Sequence, residues 1–346
     1  MAEPASEPHE LIRRNREVAR FGRAAVVCTM RDEGPYVLEW VAHQIACGFT
    51  DILVAYNDCT DGTARLLSAL DRMGVIRAIS NDRWRGAPQA SAYRRAMRVI
   101  DAGDRIDWIM VLDADEMLAL KTGKGDLNSF FDVAPAANLY SFNWRLFGHG
   151  GESHFRDALT AERFTRCGPP SPRQAQAGVK TLFRNIFPNA VVGPHRPRWG
   201  KIRAEGSAEW VGGNGLPVDD ALIGSGWRNF SGGMSLGQVN HYAVRDNESF
   251  LMKMARGRGS NNRHGLHLRY WRRMSKNTHV DDSITLTSEA RAHALSVLKA
   301  ERRLRRLHKF AVETHRERIA AAHEDAELEA VYLGLCAENV RKPKGA

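Results

Sequence analysis

Short apolar runs alternate with segments of helical periodicity between residues 24 and 118. Four of the runs predict strands, because each is apolar and ends at polar or turn-forming residues. These runs are 24–29, 51–56, 75–79 and 108–112, and apolar residues spaced three or four apart predict helices at 37–47, 64–73 and 89–102. Strands that alternate with crossover helices at this spacing favour an α/β fold with a doubly wound, mostly parallel sheet.

The alternation ends beyond residue 126. Residues 138–147 suit another strand, whereas 148–235 are rich in Gly, Pro, Arg and isolated aromatic residues, which predicts short strands and long loops. Residues 250–256 suit a short helix, and 288–339 contain no proline and are dominated by helix-forming residues. We therefore expect an irregular region after the sheet, followed by a helical C-terminal tail.

Three acidic residues directly follow the fourth predicted strand, at Asp113, Asp115 and Glu116. Ligands of open α/β sheets bind beyond the carboxyl ends of the strands. If the backbone stays extended past Leu112, the side chains of Asp113 and Asp115 share one face. Two such carboxylates form half of an all-oxygen site for Mg²⁺ or Mn²⁺. A solvated turn that ends the strand is the alternative interpretation.

Polar residues also follow the first two predicted strands. Arg31 and Glu33 come after the first, and Asn57 and Asp58 come after the second. Side chains of these types can bind a base and a ribose, while the later aspartates hold a cation that bridges a diphosphate. Each residue taken alone also suits a helix cap or a turn. The turn at 29–34 has only one glycine, so the phosphate-binding loops of dehydrogenases and of nucleotide hydrolases are both missing.

Composition limits the class of protein and its partner. The chain has 346 residues, of which 43% are hydrophobic and 26% charged, as in soluble globular proteins. Its formal charge of +10 favours an anionic partner. Five scattered cysteines form no Cys-x-x-Cys pair, which argues against a disulfide framework or a structural zinc site. No apolar run approaches the ~20 residues of a membrane span, and the first residues lack the apolar core of a signal peptide, so we expect a soluble cytoplasmic protein.

Several segments resemble, in the same order, motifs of family 2-type glycosyltransferases with the GT-A fold. The branch concerned has Arg-Asn-Glu, Asn-x-Ser-x-Asp-Gly-Thr and Asp-x-Asp-Glu-Phe-Leu motifs. The similar segments are Arg31-Asp32-Glu33, Glu39-Trp40, 57–63, 89–93, 113–118, 144–148, 162–164, 180–184, His241-Tyr242 and 250–257. Each motif is weak alone, and their order makes the resemblance specific over about residues 24–260. Asp32, Cys59 and Met117 depart from the family's usual Asn, Ser and Phe.

This resemblance implies transfer of a sugar from a nucleotide-diphosphate sugar to an acceptor hydroxyl, with inversion, in bacterial-type polysaccharide or glycoconjugate synthesis. It implies a divalent metal, Mn²⁺ or Mg²⁺, held by Asp113, Asp115 and His241. The implied nucleotide-sugar-binding residues are Thr29, Arg31, Glu33, Asn57, Asp58, Gln89, Asp113, Lys253 and Arg256, with Arg258 as a further diphosphate contact. The implied catalytic base is Glu162 or Glu116, with Asp157 and Asp219 left open, and His195 lies on the acceptor side.

The implied domains are a flexible lead-in at 1–22, a catalytic domain at 23–260 and a basic helical extension at 261–346. The catalytic domain divides into a nucleotide-sugar half at 23–120 and an acceptor-side half at 121–260. Basic residues alternate with leucines in the extension between 295 and 310. A helix with a solvated basic face and peripheral attachment to an anionic membrane both suit this pattern.

Two other functions remain open. A nucleotidyltransferase also combines a nucleotide-binding sheet with a metal, although it normally needs a Gly-rich phosphate loop that residues 29–34 do not provide. A nucleic-acid-binding protein without catalysis would suit the positive charge and should show a steep loss of affinity with salt. The acidic strand ends favour the transferase, and we expect no nucleic-acid partner.

Overall fold

The computed structural model describes residues 6–83, 86–172, 174–186, 192–197, 209–218, 228–229, 232–256 and 268–340. The helices in this part of the chain are α1 (Pro8–Val18), α2 (Val37–Ala46), α3 (Thr63–Arg72), α4 (Pro88–Ala102), α5 (Leu127–Phe131), α6 (Thr160–Arg163), α7 (Asn247–Arg256), α8 (Leu268–Met274), α9 (Ser288–Ala300), α10 (Arg302–Glu324) and α11 (Ala326–Val340). The strands are β1 (Ala24–Met30), β2 (Asp51–Tyr56), β3 (Arg77–Ser80), β4 (Trp108–Val111), β5 (Glu116–Leu120), β6 (Leu139–Leu146), β7 (Arg166–Cys167), β8 (Val179–Arg184), β9 (Trp210–Gly212), β10 (Gly237–His241) and β11 (His279–Val280).

One large sheet carries the strand order β3-β2-β1-β4-β8-β6-β10-β5, with β9 paired to β6. Its first four strands are parallel, β8 runs antiparallel to both of its neighbours, and β5 runs antiparallel to β10. The predicted α/β class with a mostly parallel sheet and C-terminal helices is confirmed. The strand order reverses direction between β1 and β4, and ligands of such sheets bind at that point.

The sheet is buried on both faces, which explains why β1 is apolar without alternation. Val26 and Cys28 pack into the larger core cluster with α2 and α3, whereas Ala25 and Val27 pack into a second cluster with Tyr93 of α4. The apolar runs therefore predicted the central strands correctly. β5 was not predicted, because Glu116–Leu120 pairs with β10, far along the chain.

The chain termini add to the core. Leu11 and Ile12 of α1 are buried, and the Asn15 side chain donates to the Ile45 and Phe49 carbonyls at 2.8 and 2.9 Å. Residues 8–18 thus form a packed helix where the sequence suggested a flexible lead-in, since one apolar side of α1 meets α2. Leu298 of α9 belongs to the larger core cluster.

No helix in the described ranges is both long and apolar enough to cross a membrane.

Candidate active site

A cavity of about 480 Å³ opens at the carboxyl ends of β1, β2 and β4. Because β1 pairs with β4 (Val27 beside Val111), the segments that follow these two strands lie next to each other. Among the described residues, the cavity is lined by Thr29, Met30, Arg31, Glu33, Asn57, Pro88, Gln89, Asp113, Ala114, Asp115, Trp144, Pro194, His195, His241, Lys253, Arg256, Tyr270, Arg273 and Met274. The sheet topology therefore gathers almost all of the predicted donor-site residues in one place.

Asp113 and Asp115 reach this cavity through a turn. β4 ends at Val111, a turn follows at Ala114 and Asp115, and β5 begins at Glu116. The Tyr242 amide donates to the Asp115 carbonyl at 2.8 Å, which fixes the turn against the end of β10. The extended backbone suggested by the sequence is absent here, yet both aspartates line the cavity.

Asp113 is held by a buried lysine. Lys180 of β8 places its Nζ 2.9 Å from Asp113 Oδ2 and 2.9 Å from Glu116 Oε2, and its side chain has 0% exposure. Burial lowers the pKa of the Lys180 ammonium, but the two carboxylates outweigh burial and raise its pKa overall. Gln89 Nε2 donates to the other Asp113 oxygen at 3.3 Å. Both oxygens of Asp113 therefore have donors.

Asp115 is held by a second lysine, which comes from α7. Lys253 Nζ donates to Asp115 Oδ2 at 2.5 Å and to the Ala243 carbonyl at 2.8 Å. His241 Nε2 lies 3.7 Å from the same carboxylate oxygen. Burial raises the pKa of the Asp115 carboxyl, but Lys253 and His241 outweigh burial and hold that pKa well below its usual range. Asp115 is therefore a charged anchor for α7.

Glu33 is the third carboxylate of the cavity and pairs with two arginines. Arg245 Nη1 lies 3.2 Å from Glu33 Oε2, and Arg256 Nη2 donates to Glu33 Oε1. Burial raises the pKa of Glu33, while the two guanidinium groups lower it below its usual value overall. Arg245 also lies 3.5 Å from the centre of the Tyr36 ring. Glu33 and Asp115 together fasten α7 to the ends of β1 and β4.

The fit of a divalent cation depends on whether carboxylate and imidazole donors converge without other partners. Asp113 has donors on both oxygens, and Asp115 Oδ2 already carries Lys253. Within the ranges that the structure describes, no three His, Cys, Asp or Glu side chains are grouped so that they could hold a metal ion. This arrangement therefore does not fit a metal centre built from Asp113, Asp115 and His241. A lysine ammonium group is already paired with an oxygen of each aspartate.

The two residues proposed as catalytic bases do not line the cavity. Glu116 has 0% side-chain exposure, accepts the Asp113 amide at 2.8 Å and pairs with Lys180, so it lies beneath the cavity floor. Burial raises the pKa of its carboxyl overall. Glu162 is exposed on α6. Asp157 pairs with His308 at 3.0 Å.

The remaining predicted residues divide between the cavity and other positions. Thr29, Asn57 and Gln89 line the cavity. Asp58 is exposed, has a backbone φ of +49°, and accepts from the Asn57 side chain at 2.9 Å. It therefore orients Asn57 from outside the cavity lining. Asp219 and Arg258 lie outside the described residues.

His195 lies beside the start of β8, which β4 separates from β1 in the sheet. Its Nδ1 is 3.1 Å from the Val179 carbonyl, and its ring centre is 5.4 Å from that of Trp144. Burial, and secondarily the charge of Lys180, lower the pKa of His195 to about 4. This side chain is therefore neutral near pH 7 and contributes no charge to the cavity.

Sequence reasoning gave no role to Lys180, Arg245, Tyr270 or Arg273. A signal existed for Lys180, because a lysine inside the apolar strand 179–183 needs a buried partner. Arg245 lies outside any regular element and adopts φ +49°. Nothing in the local pattern distinguishes Tyr270 and Arg273 from other residues of an exposed basic helix.

No protein-family model matches this sequence, and no curated protein matches it. Solved structures are similar to part of it. Residues 1–349 of TarS from S. aureus are 10% identical over 48% of this chain and 48% of that one, with a TM-score of 0.30. Other structures of that TarS fragment contain UDP or UDP-GlcNAc.

Two synthases are similar to a comparable extent. Mannosyl-3-phosphoglycerate synthase from Rubrobacter xylanophilus is 14% identical over 51% of this chain and 57% of that one, with a TM-score of 0.29. Glucosyl-3-phosphoglycerate synthase from Mycobacterium tuberculosis, in complex with Mn²⁺, UDP and glucosyl-3-phosphoglycerate, is 13% identical over 42% and 50%, with a TM-score of 0.26. The chain thus spans about half the length of the solved chains named here.

Proposed function

We propose that this protein is a glycosyltransferase that moves a sugar from a nucleoside-diphosphate sugar to an acceptor hydroxyl. One observation carries the proposal. Residues from segments far apart in the sequence, chosen for their motif resemblance, line a single cavity at the point where the strand order reverses. The cavity volume of about 480 Å³ falls within the roughly 300–1,000 Å³ typical of small-molecule sites.

The lining divides into regions suited to the parts of such a donor. Thr29 and Asn57 offer neutral hydrogen-bonding groups for a nucleoside at the ends of β1 and β2. Lys253 and Arg256 supply cations for the diphosphate, since ammonium and guanidinium groups suit phosphate oxygens. Trp144 offers an aromatic side chain against which a sugar can pack. In this order we expect the sugar to lie between the diphosphate and the part of the cavity that His195 lines.

The reaction that we propose is a single displacement with inversion. The acceptor oxygen forms a bond to the anomeric carbon, the bond from that carbon to the phosphate oxygen breaks, and its electron pair leaves with the nucleoside diphosphate. The acceptor proton passes to a general base, a role that the sequence assigns to Glu116 or Glu162 although neither lines the cavity among the described residues. Positive side chains near the diphosphate stabilise the negative charge that develops on it.

The proposed reaction proceeds without the divalent metal that the motif resemblance implies. Mn²⁺ is present in the glucosyl-3-phosphoglycerate synthase complex named above. In this chain, Asp115 would have to give up its bond to Lys253 on Oδ2 before that oxygen could accept such an ion. No step of the proposed reaction depends on it.

Binding of a nucleoside diphosphate tests the proposal directly. The full chain is heated with UDP, GDP, ADP, CDP or TDP, with and without MnCl₂, and the melting temperature is measured. We expect at least one of them to raise the melting temperature, because a ligand that binds only the folded state stabilises it. The control is the matching nucleoside without phosphates. If no diphosphate shifts the melting curve under either condition, the transferase proposal fails.

Peripheral membrane attachment through the basic C-terminal helices stays a prediction. Arg302, Arg303, Arg306 and Lys309 are exposed on α10, so their charges are available to an anionic surface. The same face is equally suited to water, and the proposed reaction does not require a membrane.

A further inference from the structure

Lysine ammonium groups form ion pairs with the two aspartates at which the sequence predicts a metal ion. Lys180 comes from β8 and meets Asp113 at 2.9 Å, and Lys253 comes from α7 and meets Asp115 at 2.5 Å. Lys180 is completely buried, and Lys253 retains 20% of its side-chain exposure at the cavity wall. The first lysine is therefore structural, whereas the second can also touch a ligand.

The cavity has more cations than its own carboxylates need. Glu33, Asp113 and Asp115 are its acidic lining residues, and each already has a basic partner. Two further lining arginines, Arg31 and Arg273, have no carboxylate within ion-pair distance in the described part of the chain. Positive charge is thus left over on the ligand side. A nucleoside diphosphate carries the opposite charge, so this surplus is complementary to it.

The position of Lys253 is fixed from two sides. Its Nζ donates to the Ala243 carbonyl at 2.8 Å as well as to Asp115, and one turn later Arg256 Nη1 donates to the Arg31 carbonyl at 2.5 Å. These bonds join α7 to the segments after β1 and β4. The ammonium is therefore held in place before any ligand arrives, as a bound cation would be.

We propose that Lys253, positioned by Asp115, takes the place of the divalent cation at the donor diphosphate, so that nucleoside diphosphates bind without metal. The inference rests on the proposed transferase function. It identifies Lys253 as the cation that pairs with the leaving nucleoside diphosphate. Asp115 is then a positioning residue for Lys253. Arg31 and Arg273 join Lys253 and Arg256 as diphosphate contacts. A divalent ion and the ammonium would compete for one carboxylate, since like charges repel at that distance.

Calorimetric titration of the full chain with the nucleoside diphosphate that gives the largest thermal shift tests the inference. One titration contains EDTA and the other contains MnCl₂. We expect saturable binding in EDTA and no gain in affinity with Mn²⁺. If the diphosphate binds only when Mn²⁺ is present, the inference is overturned while the transferase proposal stands. If it binds under neither condition, both are overturned.

The Lys253→Met variant gives a second readout. Loss of a charge-assisted hydrogen bond should weaken diphosphate binding in EDTA by about 10- to 100-fold. The same variant, titrated with MnCl₂ alone, should bind Mn²⁺ about tenfold more tightly than the parent chain, because Asp115 has lost its cation. Lys309→Met, which changes an exposed lysine of α10, is the matched control and should alter neither affinity. Unchanged diphosphate binding by Lys253→Met would contradict the role given to this lysine.

Discussion

Single buried charges determine the character of the cavity floor. Lys180 lies between Asp113 and Glu116; the Lys180 and Glu116 side chains have no exposure, whereas Asp113 keeps 30% of its side-chain exposure at the cavity. Burying a charged group costs free energy unless it is paired. Loss of one partner therefore leaves the other charge with its full desolvation penalty. A lysine inside an apolar strand is tolerated here only because the sheet topology brings the carboxylates of Asp113 and Glu116 next to it. Stability and the proposed donor binding therefore depend on the same side chains.

The Lys180→Met substitution should lower the free energy of unfolding by about 3–5 kcal/mol, since it leaves the buried Glu116 and the partly exposed Asp113 without their cation. Urea unfolding followed by circular dichroism measures this. Adding Glu116→Gln to the same chain should recover part of the loss, because one of the stranded charges is then removed. Lys309→Met serves as the control, and a Lys180→Met chain as stable as that control would contradict the prediction.

At the scale of elements, two tight contacts fix α10 against the segments that follow β1 and β2. Gly34 lies where the chain leaves β1, and a Cβ added there would lie 2.6 Å from Ala311 Cβ of α10 and 2.9 Å from Asp61 Oδ2. Gly62 has φ +95° and lies below the Phe310 ring of the same helix. Small residues are therefore required where α10 crosses the segments after β1 and β2. The helical extension is thereby part of the structural support of the cavity.

Gly34→Ala should destabilise the protein by about 1–3 kcal/mol, because the added methyl group overpacks the contact between α10 and the strand end. Gly334→Ala on α11 is the matched control: its added Cβ would meet Leu268 at 3.6 Å, an ordinary contact. Removal of a helical glycine should leave stability unchanged or raise it by about 1 kcal/mol. Denaturant unfolding of both variants decides the matter, and equal stabilities would show that α10 does not press on Gly34.

For the whole molecule, several buried histidines make stability depend on pH. Burial lowers the pKa of His43 to about 3, and of His149 and His315 to about 4. They belong to α2, the segment after β6, and α10, so the effect involves distant parts of the fold. Each histidine stays neutral in the folded chain while its unfolded form takes up a proton below about pH 6.5. The stability that they contribute is complete above that pH and is lost as the pH falls towards 4.

Urea unfolding at pH 7, 6 and 5 should therefore show a falling free energy of unfolding, with each such histidine contributing at most about 1.4 kcal/mol per pH unit. His315→Gln should flatten this dependence, because it removes one group that protonates only on unfolding. His279→Gln, which changes an exposed histidine, is the control and should keep the parent slope. An identical slope in the His315 variant would rule out its contribution.

Local pattern was sufficient for most of the α/β half and for part of the cavity lining, although not for Tyr270 and Arg273. β2 begins and ends where the apolar run predicts, at Asp51 and Tyr56. β4 ends one residue before the predicted limit. The polar residues after these strands could be identified because side chains at the carboxyl edge of a parallel sheet do not have to pack into the core. They therefore do not have to follow the apolar pattern of the strands. Motif order added His241, Lys253 and Arg256 from far along the chain.

The tertiary structure alone decided what those residues contact. Lys180 reaches Asp113 across 67 positions of sequence, and Lys253 reaches Asp115 across 138. Such pairings follow from the antiparallel insertion of β8 beside β4 and from the docking of α7, neither of which leaves a periodic trace in the sequence. The amino acids themselves determined that two aspartates would stand at the end of β4. Whether those aspartates meet a metal ion or a lysine depends on long-range packing, because the ammonium that neutralises each carboxylate is delivered by a distant element.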